Sequence, residues 1–217
     1  GVHLNRPGDI ARRVSELRAV LADQRIPLRL VAGAEVHMSP DLLDQLSGDA
    51  PPTLHGTRYF LFEAPRDVLP PRLLCFSRRI LDAGFVPILT HPERLSWVAG
   101  HYGVVRELAA SGVLMQLTAG SLTGDFGRSI GNLAARMLHD GLCDVVSSDA
   151  HGATSRRPGL SRARAFVAAR LGEAEAELVV AERPRAILEN RLVVRPLGAG
   201  RAPGHAPETM QPHRSDH

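Results

Sequence analysis

Short apolar runs alternate with amphipathic stretches along most of this chain, and each run ends in polar residues. Ile10, Val14, Leu17 and Leu21 share one helical face behind Asp9, a capping residue, and predict a first helix. Leu28-Arg29-Leu30-Val31-Ala32 predicts a strand ending at Gly33-Ala34-Glu35. Ser39-Pro40 opens a short helix, with proline in the first helical turn. Tyr59-Phe60-Leu61-Phe62 reads as a second strand running into Glu63, and 71–83 as a helix closed by Gly84. Phe85-Val86-Pro87-Ile88-Leu89 is a third strand, running into Thr90-His91. A helix over 102–111 stops at Gly112, and Val113-Leu114-Met115-Gln116-Leu117 is the fourth strand. Helical residues 130–139 precede Gly141, and Leu142-Cys143-Asp144-Val145-Val146 is a fifth strand leading into Ser147-Ser148-Asp149-Ala150-His151. Helices over 161–171, 173–181 and 184–190 complete the pattern. Strand alternating with helix predicts an α/β fold with a parallel sheet and helical crossovers. Residues 198–217 are rich in Gly, Pro, His and polar residues without apolar periodicity, and are expected to be a disordered tail.

Composition narrows the class. A chain of 217 residues with 44% hydrophobic and 23% charged residues suits one sizeable globular domain. No apolar stretch approaches the roughly 20 residues that span a bilayer, and no signal peptide opens the chain. A cytoplasmic setting without membrane insertion is the expectation. All 26 basic residues are arginine, which fits the codon bias of a GC-rich bacterial genome. Although the pI is near 9.5, the arginines are dispersed and aromatics make up only 4%, so nucleic acid is not the expected partner. Cys75 and Cys143 both lie in apolar segments and are expected to be buried free thiols rather than a disulfide.

Candidate chemistry follows from where polar residues fall. The predicted strands end at Glu35, Glu63, His91, Thr118 and Asp149-x-His151. In parallel α/β folds the C-terminal strand edge gathers such residues into one mouth. Any single one could be a helix cap or a surface group, but the coincidence selects Glu35, His91, Asp149 and His151 as metal ligands. Carboxylate and imidazole together suit Mn, Fe or Zn, and a carboxylate such as Glu35 can bridge two cations about 4 Å apart. Glu63 precedes Ala64-Pro65, reads as a strand terminator and is left out of the set. His3, His37, His55, His101 and His139 lack strand-end placement and are read as surface or helix-end residues, as are the tail histidines. Arg94 follows His91 by three residues, and Arg156 follows His151 by five. A guanidinium beside a metal cluster can grip phosphate through two parallel hydrogen bonds, which describes a metal-dependent phosphoesterase. Arg157 reads as surface charge.

Gly33-Ala34-Glu35, Thr90-His91-Pro92-Glu93-Arg94, Ala119-Gly120-Ser121-Leu122-Thr123-Gly124-Asp125-Phe126-Gly127 and Ser148-Asp149-Ala150-His151 occur in this order. Together they resemble the PHP (polymerase and histidinol phosphatase) superfamily, and specifically its CpsB/YwqE-type bacterial tyrosine phosphatases. The helical ending around Glu182 to Asn190 resembles that family's C-terminal helix, and the likeness covers roughly 9–195. The resemblance implies a distorted (β/α)7 TIM-like barrel, the PHP fold, with two to three divalent ions. Manganese is the implied metal, with Fe or Zn as alternatives. It implies hydrolysis of phosphotyrosine by metal-activated hydroxide on a protein substrate, a bacterial tyrosine kinase that controls capsule or exopolysaccharide export. By position, Glu35, His91, Asp149 and His151 match its metal ligands, and Arg94 and Arg156 its phosphate-gripping arginines.

The family opens with a strand carrying His-x-His, an acidic turn and a second strand ending in histidine, and this chain does not contain them. The expectation is therefore a phosphatase domain over 1–197 that is incomplete at its N-terminus. Its first two strands would be missing, leaving poor stability and little activity in this polypeptide. Two alternatives stand beside this reading. One is another phosphatase of the superfamily, acting on histidinol phosphate or a nucleotide; the other is a non-catalytic remnant.

Overall fold

The computed structural model describes residues 7–193, so His3 and the expected tail lie outside the described residues. Five parallel strands pair in chain order: β1 (Glu35–His37), β2 (Tyr59–Glu63), β3 (Val86–Thr90), β4 (Leu114–Thr118) and β5 (Val145–Ser147). Between them run α2 (Leu42–Ser47), α3 (Leu73–Asp82), α4 (Tyr102–Ser111), α5 (Ala119–Thr123) and α6 (Arg128–His139), with α1 (Pro7–Asp23) before the sheet. After β5 come α7 (Ser161–Leu171), α8 (Glu173–Glu177), a π turn over Leu178–Glu182 and α9 (Arg183–Leu188). The strand order never reverses, and residues of α3, α4 and α6 join a single core with one face of the sheet.

Register sorts the side chains. Phe60, Phe62, Leu89, Met115, Leu117 and Val146 lie on one face, in a single core with Leu73, Ile80, Val105, Leu108 and Met137 from the helices. Each such buried side chain contributes about 1.5–3 kcal/mol. The opposite face buries Tyr59, Ile88, Leu114 and Val145 against Ile187 of α9. Burial on both faces explains why these strands read as nearly unbroken apolar runs. The C-terminal helix is tied to β2, because the Tyr59 hydroxyl donates to the Arg191 carbonyl at 2.7 Å and the Arg58 N–H to Asn190 Oδ1 at 3.0 Å. Further along the face that carries Tyr59 and Ile88 come Glu63, Thr90, Gln116, Thr118 and Ser147, so this face is apolar at one end and polar at the other.

Several expectations are corrected. Residues 28–32 form no strand; β1 begins at Glu35. Their carbonyls find other donors, with Arg18 bonding Leu30 O at 2.6 Å and the His55 N–H bonding Ala32 O at 2.8 Å. An apolar run becomes a strand only when a neighbour completes its hydrogen bonds. The stripe of α1 is not a core face: Ile10, Val14 and Leu21 are half-buried and Leu17 is 49% exposed. Proline 184 does not split the last helix, because the wider π turn upstream carries a continuous helical backbone into α9. Cys143 is buried as expected, whereas Cys75 is exposed on α3; both are free. The ends of α4 and α7 are as expected, with Gly112 at φ 110 closing α4 in a conformation that favours glycine. Among the described residues no helix is long and apolar enough to cross a membrane.

Candidate active site

The polar end of the Tyr59–Ile88 face gathers residues from the first three strands. Glu35 starts β1, Glu63 ends β2 and His91 follows β3 directly. His91 Nε2 lies 3.2 Å from Glu35 Oε1 and 3.7 Å from Glu63 Oε1. One ligand atom from each of the three falls within 4.8 Å of the others. His91 is 8% exposed and adopts a left-handed backbone (φ 37), a conformation that costs about 1–3 kcal/mol outside glycine. Its backbone is held there by the His91 N–H bonding Gln116 O at 2.9 Å. Burial pushes the Glu35 carboxyl up, but hydrogen bonds from His91 and Thr90 outweigh it and hold the group below the ordinary glutamate value. Two carboxylates turned on one imidazole concentrate negative charge, which a divalent cation would offset. The His91 Nδ1 atom is buried without a hydrogen-bond partner among the described residues, leaving Nε2 as the nitrogen facing the carboxylates. This donor set of two carboxylates and an imidazole fits Mn, Fe or Zn.

A second group sits after β5. Arg94 Nη1 bonds Asp149 Oδ2 at 2.7 Å, and Arg156 Nη2 closes on the same oxygen. His151 Nδ1 lies 2.9 Å from the Asp149 carbonyl, and Arg156 Nη1 lies 3.1 Å from His151 Nε2. A neutral imidazole protonated on Nδ1 satisfies both contacts. Asp149 and Arg156 also have positive φ (both 48), so backbone strain recurs at this edge. A cleft of about 560 Å³ opens beside Arg156, lined by Phe126, Ser148, Thr154, Arg157 and Arg162 among others.

One turn of 3-10 helix, Pro92–Arg94, joins the two groups. His91 faces the carboxylates, Arg94 reaches Asp149, and Glu93 between them turns inward. Glu93 is 2% exposed and accepts hydrogen bonds from the Thr118 N–H at 2.9 Å and the Ser121 hydroxyl at 2.7 Å. Burial pushes its carboxyl above the ordinary range despite those bonds. The His-Pro-Glu-Arg segment is thereby fastened to the start of α5.

Of the residues selected from the sequence, Glu35 and His91 meet in one cluster, and Asp149, His151, Arg94 and Arg156 meet in the other. Glu63, which the sequence reading set aside, belongs to the first. Its strand-end position was the signal; Ala64-Pro65 does end the strand, but the Trp97 indole bonding Pro65 O at 2.9 Å anchors that turn. His37, read as a surface residue, places Nδ1 3.0 Å from Glu63 Oε2 while remaining 57% exposed. Glu93 sits inside the His-Pro-Glu-Arg motif, and no periodicity distinguishes a buried carboxylate from an exposed one.

The sequence profile of the capsular polysaccharide synthesis family CpsB/CapC matches residues 2–189. CapC of Staphylococcus aureus is 29% identical over 144 residues, a match spanning 66% of this chain and 56% of CapC. The tyrosine-protein phosphatase YwqE of Bacillus subtilis is 26% identical over 195 residues, covering 90% of this chain and 76% of YwqE. The tyrosine-protein phosphatase CpsB of Streptococcus pneumoniae is 26% identical over 189 residues, covering 85% and 78%. The structure superposes with a TM-score of 0.86 and 26% identity on a chain from the crystal structures of YwqE and CpsB, described as unique metal-dependent tyrosine phosphatases. That likeness covers 90% of this chain and 79% of the solved one.

Proposed function

This chain belongs to the CpsB/CapC capsular polysaccharide synthesis family, and from that premise we propose that it is a metal-dependent phosphatase hydrolysing phosphotyrosine on protein. The observation that carries the reading is the pairing of the Glu35–Glu63–His91 cluster with Arg94, one 3-10 turn after His91, and with Arg156, which shares Asp149 with Arg94. Glu35, Glu63 and His91 would hold a divalent cation, with Asp149 and His151 adding ligands from the neighbouring group. Bound there, divalent ions supply Lewis-acid polarisation of a phosphoryl oxygen and a water acidic enough to attack near neutral pH. Arg94 and Arg156 bind the remaining phosphate oxygens in bidentate fashion and orient the ester. Both guanidinium groups share Asp149, so taking up phosphate exchanges one anionic partner for another. Water adds to phosphorus and the tyrosyl oxygen leaves, giving tyrosine and inorganic phosphate. Neither cysteine serves as nucleophile in this reading: Cys143 is buried and its thiol pushed up by burial, and Cys75 lies on α3.

The proposal extends to manganese in two to three sites, a phosphorylated bacterial tyrosine kinase as substrate, a cytoplasmic setting and a barrel related to the PHP fold. Its test is a comparison of turnover by protein expressed from its complete gene and loaded with manganese. A phosphotyrosyl peptide should be hydrolysed with the highest kcat/KM. Equal or faster turnover of histidinol phosphate or a nucleotide would reject phosphotyrosine as the substrate.

A further inference from the structure

The segment Ala119–Gly127 follows β4 directly, and its Ser121 hydroxyl donates to Glu93. Its aromatic residue, Phe126, is half-buried and lies in the wall of the cleft beside Arg156. The Arg94 guanidinium carbon stands 4.7 Å from the centre of the Phe126 ring, and that of Arg156 stands 5.9 Å from it. Both distances are within reach of cation–π attraction. The loop under the ring is closed by the Asp125 N–H bonding Gly120 O at 2.8 Å and the Gly127 N–H bonding Gly124 O at 3.1 Å. A Cβ on Gly120 would meet Phe126 Cε2 at 2.9 Å, so the ring edge rests against bare backbone at that glycine. The segment thus sets a ring against residues 94 and 156, which are far apart in the chain.

We propose that Phe126 is a positioning residue for phosphate recognition, its ring holding the Arg94 and Arg156 guanidinium groups toward one oxyanion. This rests on the reading of those arginines as phosphate-binding. Two like charges brought to one site repel, and Asp149 compensates them while it remains between them. When phosphate replaces Asp149 as their partner, the ring is a contact both arginines keep. It costs no countercharge and excludes water from one side of the pair. Losing it frees two long side chains, whose ordering must then be supplied by phosphate itself.

The test compares Phe126→Leu, Phe126→Tyr and Gly120→Ala with the parent, all as manganese-loaded protein expressed from the complete gene. Binding of inorganic phosphate is measured by titration calorimetry, alongside KM and kcat for a phosphotyrosyl peptide. Phe126→Leu keeps apolar bulk but removes the ring, and should weaken phosphate binding and raise KM by about tenfold with kcat changed far less. Phe126→Tyr should restore both to within about twofold, since its ring offers the same face. Gly120→Ala, which displaces the ring without deleting it, should weaken phosphate binding in the same direction. Manganese affinity and the unfolding midpoint of Phe126→Leu should match the parent. Phosphate binding by Phe126→Leu as tight as the parent's, or a Tyr variant as weak as the Leu variant, would overturn the proposal. A parent that binds phosphate but leaves the peptide intact would reject the phosphotyrosine reading, while the phosphate titrations still decide the role of Phe126.

Discussion

Replacing Glu93 by alanine should destabilise the protein and loosen both halves of the site at once. The side chain accepts from the Thr118 N–H and the Ser121 hydroxyl, and all three groups are buried. Stranding two buried donors costs about 1–3 kcal/mol each. Relief from a desolvated carboxyl and water entering the vacated space offset part of this, leaving roughly 3 kcal/mol. For a chain of this size that lowers the thermal midpoint by about 6–12 °C. Urea unfolding followed by far-UV circular dichroism measures the difference directly. Glu93→Gln keeps an acceptor for both donors and should lose much less. The two variants also differ in pH response. Burial raises the folded-state pKa of Glu93, so its contribution is full below the ordinary glutamate value and is lost as pH rises through the raised one. Glu93→Gln should therefore abolish that part of the decline in stability with rising pH. A Glu93→Ala protein within about 0.5 kcal/mol of the parent, at unchanged m-value, would refute the claim that these bonds hold the segment.

Lysine at position 94 or 156 keeps the charge but loses the planar fork, and kcat/KM for a phosphotyrosyl peptide should fall by about 100-fold in steady-state assays, equal to ~2.7 kcal/mol. Arg183 is 6% exposed and bonds Glu175 Oε1 at 2.8 Å and Cys143 O at 3.3 Å. Its replacement by alanine leaves a partly buried carboxylate unpaired and should cost about 3 kcal/mol in urea unfolding. Thiol titration of native protein at pH 8 should modify Cys75 alone, because it is exposed, while Cys143, buried with its thiol pushed up, should react only after unfolding.

The sheet was legible because strands buried on both faces leave unbroken apolar runs, as at Tyr59–Phe62 and Val86–Leu89. His91, Arg94 and Asp149 stood out because each lies just beyond the end of such a run. Glu35 instead follows the run 28–32, which forms no strand, and opens the short β1. The segment 28–32 carries the same pattern without becoming a strand, since the pattern records apolarity and not the presence of a partner. Glu63 was misjudged through its neighbours: ending a strand and facing the site are compatible in a parallel sheet, where the end of the strand is the mouth. The pairing of Arg94 with Asp149 spans 55 positions, and that of Phe126 with both arginines joins three loops. Such contacts depend on how loops close over the sheet, which no local periodicity encodes. Continuity through Pro184 escaped for a related reason, because no sequence pattern marks the π turn over Leu178–Glu182 that precedes it.

The central claim is that Glu35, Glu63 and His91 hold the metal on which phosphate release depends. The most direct measurement is phosphate release from a phosphotyrosyl peptide by protein expressed from its complete gene, stripped with chelator and then titrated with manganese, in the parent and in Glu63→Ala. The account predicts loss of activity on chelation and recovery with manganese in the parent. It also predicts that Glu63→Ala needs at least about tenfold more manganese for half-recovery, or does not recover. Activity that survives chelation, or a manganese requirement identical in the two proteins, would contradict it.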